Sequence, residues 1–224
     1  MLFRSAFPLG GIDISPDGSF LLAVDASPVS LSGTITSKIH KVDISTHQTS
    51  DYSQQFGGID GPFYDVATFE NGIAVVTTKI RGSGATSTYT LDTVSGVFSG
   101  LFGGAPQSPI VMSSTNRSQI LLTNGFSVSG LNEIFSIDPQ NHVHLDASRG
   151  VASSGNSLSA FSADGSLVVY VERQLGVDVF DNRFNKITTI PGINGGDVKG
   201  VAFDATGDYL YVMVDDGSFH INID

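Results

Sequence analysis

A glycine mark returns along this chain at a near-constant spacing, and it constrains the fold more than any other feature. Gly-Gly pairs stand at Gly10-Gly11, Gly57-Gly58, Gly103-Gly104 and Gly195-Gly196, and their second members lie 47, 46 and 92 residues apart. The midpoint of the double gap is Gly150, a single glycine. Similar sequence follows each mark. A repeat of this length is one supersecondary unit that buries its apolar face only against its neighbours. The repeat units expected are approximately 11–57, 58–103, 104–149, 150–195, and 196–224 together with 1–10, forming one domain over 1–224.

Each unit reads as strand, tight turn, strand. Ile12-Asp13-Ile14 is followed by Ser15-Pro16-Asp17-Gly18 and then Phe20-Leu21-Leu22-Ala23-Val24. Ala160-Phe161 is followed by Ser162-Ala163-Asp164-Gly165 and then Leu167-Val168-Val169-Tyr170-Val171. Glu70-Asn71-Gly72 and Asp204-Ala205-Thr206-Gly207 hold the same place in the second and fifth units, and Ser114-Thr115-Asn116-Arg117 is a degenerate version in the third. Asp-Gly and Asn-Gly enter positive φ at low cost, so they close hairpins. The strand after each turn is an unbroken apolar run, which predicts burial on both faces.

A third strand ends in an aspartate at Asp43, Asp92, Asp138, Asp181 and Asp224. A fourth, more polar strand follows in four units, as in Lys186-Ile187-Thr188-Thr189-Ile190. No segment has a helical period. Four short strands per unit of this length predict an all-β fold, a β-propeller of five blades of four antiparallel strands. Ser15-Pro16-Asp17-Gly18 and Ser162-Ala163-Asp164-Gly165 resemble the SPDG turns of YVTN, TolB-like and lactonase-like propeller repeats. Such turns serve proteins of many activities, so the resemblance implies the fold and not a chemistry. The fifth unit stops at its third strand, and Leu2–Phe7 is expected to supply the missing outer strand and close the ring. A closed ring predicts a monomer; an open one predicts shared strands between chains.

Composition removes whole classes of function. Lys+Arg total 11 against Asp+Glu 22, a net charge of −11. That balance repels a phosphate backbone and argues against nucleic acid as a partner. There is no Cys, which excludes disulfide scaffolds, thiol catalysis and cysteine zinc sites. No apolar run is long enough for a membrane-spanning helix. The opening Met1–Pro8 is too short and too interrupted by Arg4 for a signal peptide. Abundant Ser, Thr and Gly with few Lys lean toward an extracellular bacterial setting.

Candidate site residues come from the loops that a propeller presents on one face. Asp60, Asp197, Arg81 and Arg173 lie in connections between units or between second and third strands, and are the expected ligand contacts. Asp13 and Asp65 sit on innermost strands, where converging carboxylates suit calcium, a cation that takes oxygen ligands. Asp13 and Asp65, together with Asp60 and Asp197 if the four converge, underlie a hydrolase alternative of lactonase or glycosidase type. His142 and His144 share a strand face and form half of a possible metal set. Asn116-Arg117-Ser118 fits the glycosylation pattern. No nucleophile elbow, phosphate loop or dinucleotide fingerprint occurs. The composition of the loops, small and polar, favours a binding or interaction module presented to a glycan or protein partner. A structural propeller segment of a larger secreted bacterial protein is the third reading.

Overall fold

The structure, a computed structural model, describes residues 9–26, 29–31, 34–56, 60–80, 86–105, 109–123, 130–151, 158–172, 176–191, 193 and 198–214. Among these residues there are nineteen strands and no helix. The first sheet holds β1 (Leu9–Ile14), β2 (Phe20–Asp25), β3 (Val29–Leu31), β4 (Thr34–Asp43) and β5 (Thr49–Phe56). The second holds β6 (Asp60–Thr68), β7 (Ile73–Ile80), β8 (Thr86–Asp92) and β9 (Phe98–Ala105). The third holds β10 (Ile110–Ser113), β11 (Gln119–Thr123), β12 (Gly130–Ile137) and β13 (Val143–Val151). The fourth holds β14 (Ser159–Phe161), β15 (Leu167–Glu172), β16 (Gly176–Asp181) and β17 (Lys186–Ile190), and the fifth β18 (Val198–Phe203) and β19 (Leu210–Val214). Sheets two, three and four are plain antiparallel meanders in chain order. The residues group into two compact units, Met1–Val111 and Met112–Asp224.

Two features depart from the simple repeat. The connection from β2 to β4 in the first sheet contains β3, which pairs with the first residues of β4 from Val29↔Thr36 to Leu31↔Thr34. The ten-residue β4 is long enough to pair with both β2 and β3 along one edge. In the fifth sheet only two strands are described; the expected third strand His220–Asp224 and the closing strand Leu2–Phe7 lie outside the described residues.

Second strands behave as their apolar runs predict. In β7, Ile73–Thr78 are all buried, and Leu22, Ala23 and Val24 of β2 are at most 1% exposed. In the first unit Leu22, Val24, Ile39, Phe56, Phe63, Val76 and Leu91 form one cluster. Phe63 anchors it, edge-on to Phe56 and stacked on Phe98 with both centroids at 5.1 Å. Burying one such ring stabilises the fold by roughly 2–3 kcal/mol. In the second unit Leu121, Ile134, Val168, Tyr170 and Phe180 pack between sheets three and four. Val169, Val177, Val198 and Val212 pack between sheets four and five. β19 breaks the pattern: Tyr211 and Met213 stay 43% and 44% exposed, as does Tyr209 just before it at 40%. Its opposite face carries Leu210, Val212 and Val214 into the sheet-four contact.

The hairpin turns explain the repeat at atomic level. At the first, Ser15 Oγ, Ser19 N–H and Ser19 Oγ all donate to Asp17 Oδ1 at 2.8, 3.0 and 2.7 Å. Ser15 Oγ in turn accepts the Phe20 N–H at 2.9 Å. Ser162, Asp164, Ser166 and Leu167 repeat the same four bonds. The degenerate third unit keeps them too, with Asn116 Oδ1 as acceptor and Arg117 at φ 59° where the others have glycine. In the fifth unit the roles exchange: Asp204 stands first and accepts from Tyr209 N–H and Thr206 Oγ1. One carboxylate or amide oxygen plus one hydroxyl therefore suffices, in either order.

The aspartates ending the third strands do the equivalent work at the other turns. Asp43 accepts the Thr46 N–H, Asp92 the Val94 N–H, Asp138 the Gln140 N–H and Asp181 the Arg183 N–H. Each is followed by a residue at positive φ: His47 at 59°, Gly96 at 73°, Asn141 at 67° and Phe184 at 61°.

Candidate functional site

Asp13 and Asp65 are brought together by a close approach of β1 to β6. A Cβ on Gly10 would lie 2.5 Å from the Tyr64 carbonyl oxygen, and one on Gly11 would lie 1.6 Å from Asp65 Oδ1 and 2.8 Å from its Cα. Only glycine lets β1 lie this close to β6. The glycine mark is not one structural position throughout, however. Gly10-Gly11 fall in inner strand β1, Gly103-Gly104 in outer strand β9, and Gly150 in outer strand β13, where a Cβ would meet nothing. The steric need for glycine is local to β1.

Both carboxylates fasten backbone. Asp13 Oδ2 accepts the Thr68 N–H and the Thr68 hydroxyl, each at 2.7 Å. Asp65 Oδ1 accepts the Val66 N–H and its Oδ2 the Val111 N–H, both at 2.9 Å. Burial pushes the Asp65 carboxyl up to about 6; the Val111 and Val66 amides oppose the rise, and the Asp13 charge adds to it. Asp65 thus titrates near neutrality while its oxygens hold β6 and the segment at Val111. Among the described residues no three His, Asp or Glu side chains converge as a metal site.

The remaining expected contacts divide cleanly. Asp60 begins β6 in register with Ile80, whereas Arg81, Arg173 and Asp197 lie outside the described residues. His142 Nδ1 and His144 Nε2 both meet Asp138 Oδ2, at 3.1 and 2.9 Å, on an exposed turn. The Asn116 amide is fully used: its Oδ1 accepts within its own turn, and its Nδ2 donates to the Asp164 carbonyl of the fourth-sheet turn at 3.1 Å. In the second unit a cleft of about 430 Å³ opens between sheets four and five, lined by Val179, Ile190, Phe203 and Leu210. Among the described residues, Asp13, Asp60 and Asp65 do not line it.

One charged group on the first sheet escaped the sequence reading. His40 of β4 lies between Asp51 of β5, with Nδ1 2.7 Å from Oδ1, and Asp25 at the end of β2, with Nε2 3.7 Å from Oδ2. Lys38 Nζ holds the other Asp51 oxygen at 3.1 Å. The pairings Ala23↔His40 and His40↔Asp51 bring the three strands into line. Lys38 and His40 stand two apart on one strand, but nothing in the sequence links them to Asp25 or Asp51.

No family model matches the chain, and no curated protein matches it in sequence. Solved structures do resemble it. The crystal structure of TolB from Acinetobacter baumannii aligns with 99% of this chain and 55% of its own, at TM-score 0.57 and 16% identity. The crystal structure of a nidogen/laminin complex aligns with 95% of this chain and 74% of its own, at TM-score 0.58 and 12% identity. The chain therefore spans about half the length of the TolB chain. Likeness at these identities carries the fold: this is a β-propeller repeat protein.

Proposed function

We propose that the chain is a binding module that engages a protein partner through the strand ends bearing the inter-sheet connections. The observation that carries this reading is the use of the inner carboxylates. Asp13 and Asp65 spend oxygens on backbone amides and so fasten strands, a role that a proton-transferring pair in a hydrolase would have to leave. The nidogen/laminin complex supports the same direction, since a propeller of this shape there belongs to a protein assembly. In the first unit the proposed contacts are Asp60 and Arg81, in the second Arg173 and Asp197. A glycan partner is a finer reading that rests on loop composition alone.

Calcium at Asp13 and Asp65 is a second reading, favoured by one observation: burial raises the Asp65 carboxyl and the neighbouring Asp13 charge adds to the rise. A bound Ca²⁺ would return Asp65 to the ionised form and raise the melting temperature by mass action.

The test sets binding against catalysis. The full chain is screened on protein and glycan arrays and assayed against aryl glycosides and lactones, with Asp65→Asn and Asp13→Asn alongside. Saturable protein binding that persists in Asp65→Asn supports the proposal. Turnover that either substitution abolishes overturns it in favour of a hydrolase.

A further inference from the structure

We propose that two apolar sheet faces, one on the first sheet and one on the fifth, join copies of this chain head to tail. The repeat itself identifies them. Each second strand starts at the residue whose carbonyl accepts the N–H of the residue opening the hairpin: Phe20 from Ser15, Gln119 from Ser114, Leu167 from Ser162 and Tyr209 from Asp204. The second and fourth residues after that start share one strand face. They are Leu22 and Val24, Leu121 and Thr123, and Val169 and Val171, at most 2% exposed in each case. In the fifth sheet the same positions hold Tyr211 and Met213, 43% and 44% exposed.

Elsewhere in the chain the inner strand of the following sheet covers this face. Leu22 and Val24 cluster with Val66 of β6, Leu121 with Phe161 of β14, and Val169 and Val171 with Val201 and Phe203 of β18. Each of these covering residues stands one or three places before its own hairpin. In the first sheet those places hold Ile14 and Ile12. They are 47% and 51% exposed, whereas their counterparts in β6, Thr68 and Val66, are 0% and 2%. Asp13, between the two isoleucines, turns to the other face, where it accepts from Thr68, so β1 puts no carboxylate on the isoleucine face. The fifth sheet therefore carries the covered half of a sheet junction and the first sheet the covering half. The halves are different surfaces, so the contact is heterologous, with Tyr211 and Met213 of one copy against Ile12 and Ile14 of the next. A second copy is the occupant because it brings the covering face at the positions this repeat uses for its own junctions.

Sedimentation of the full chain over a range of concentrations tests the proposal. The expected result is a concentration-dependent shift from one chain to two or more. The double variants Ile12→Lys/Ile14→Lys and Tyr211→Lys/Met213→Lys each disable one half of the junction, because an unpaired charge resists burial. Each alone is expected to sediment as a single chain. Mixed in equal amounts they are expected to pair, since each keeps the half that the other has lost. If a variant fails to unfold cooperatively in urea, single-cysteine chains take its place. Ile14→Cys and Tyr211→Cys, in a chain with no Cys of its own, are expected to be linked to each other by a bifunctional thiol reagent spanning about 10 Å, the spacing of packed sheets. Four outcomes overturn the proposal: an unaltered chain that stays single at every concentration, as it would if it covered both faces itself; association unchanged in both double variants; folded variants that stay single when mixed; or single-cysteine chains that do not link to each other.

Discussion

Two populations of aspartate in this chain do the same job under opposite electrostatics. The turn aspartates are exposed and their carboxyls are pulled down. Ser19 and Ser15 hold Asp17 at about 2, and Ser45 and Thr46 hold Asp43 at about 2. His144 and His142 hold Asp138 well below the usual carboxylate range. Asp65 also accepts two backbone amides, yet its carboxyl rises to about 6 because β1 is packed over it. Hydrogen bonds to the charged form lower a carboxyl only while water or a counter-charge carries the rest of the solvation; burial beside Asp13 removes that support. An aspartate at a turn therefore stabilises the fold as an anion. The inner one stabilises strand contacts at a cost that grows with pH.

The largest expected effect breaks the packing that sets the two populations apart. Gly11→Ala drives a methyl group into Asp65 and is expected to cost about 3 kcal/mol, read as a lowered urea midpoint. Asp65→Ala in the same chain is expected to recover only part, because the Asp65 Cα is also in the way.

The pH profile sharpens the comparison. Asp65 has a folded value raised above its unfolded value, so it opposes folding fully above about pH 6, and that opposition fades as pH falls toward 4. The shift corresponds to about 2–3 kcal/mol. The turn aspartates have depressed values, so their contribution is present above about pH 4 and is lost as pH falls through 2. Stability is expected to rise on acidification from pH 7, peak between about pH 4 and 5, and then fall. Asp65→Asn is expected to remove the rise and keep the fall; a rise that survives this substitution would assign it to another group.

Smaller effects test the turns. Asp164→Ala removes the acceptor for Ser162 and Ser166 and is expected to cost about 1–2 kcal/mol in chemical denaturation. Asp164→Asn is expected to cost a few tenths, since Asn116 already accepts the same bonds in the third unit. His47→Gly, which relieves a side chain at φ 59°, is expected to stabilise by about 0.5 kcal/mol.

Local reading of the residues was enough for the all-β class and for the hairpins at Asp17, Asp164 and Asp204. These depend on local chemistry, a short polar side chain closing a turn on its own backbone, which needs no distant partner. It also determined that β2, β7, β11 and β15 are buried on both faces, because an unbroken apolar run has no face to give to water. The rest depends on which strands meet. That Gly11 must be glycine while Gly150 meets open space depends on which strand lies opposite. β3 forms because β4 is long enough to pair with two strands along one edge. Asp13 and Asp65 could be placed on inner strands from the sequence, but their amide partners Thr68 and Val111 belong to neighbouring strands. Asp25, His40 and Asp51 are scattered over three strands, and their electrostatics depend on strand register and burial, which residue spacing does not encode.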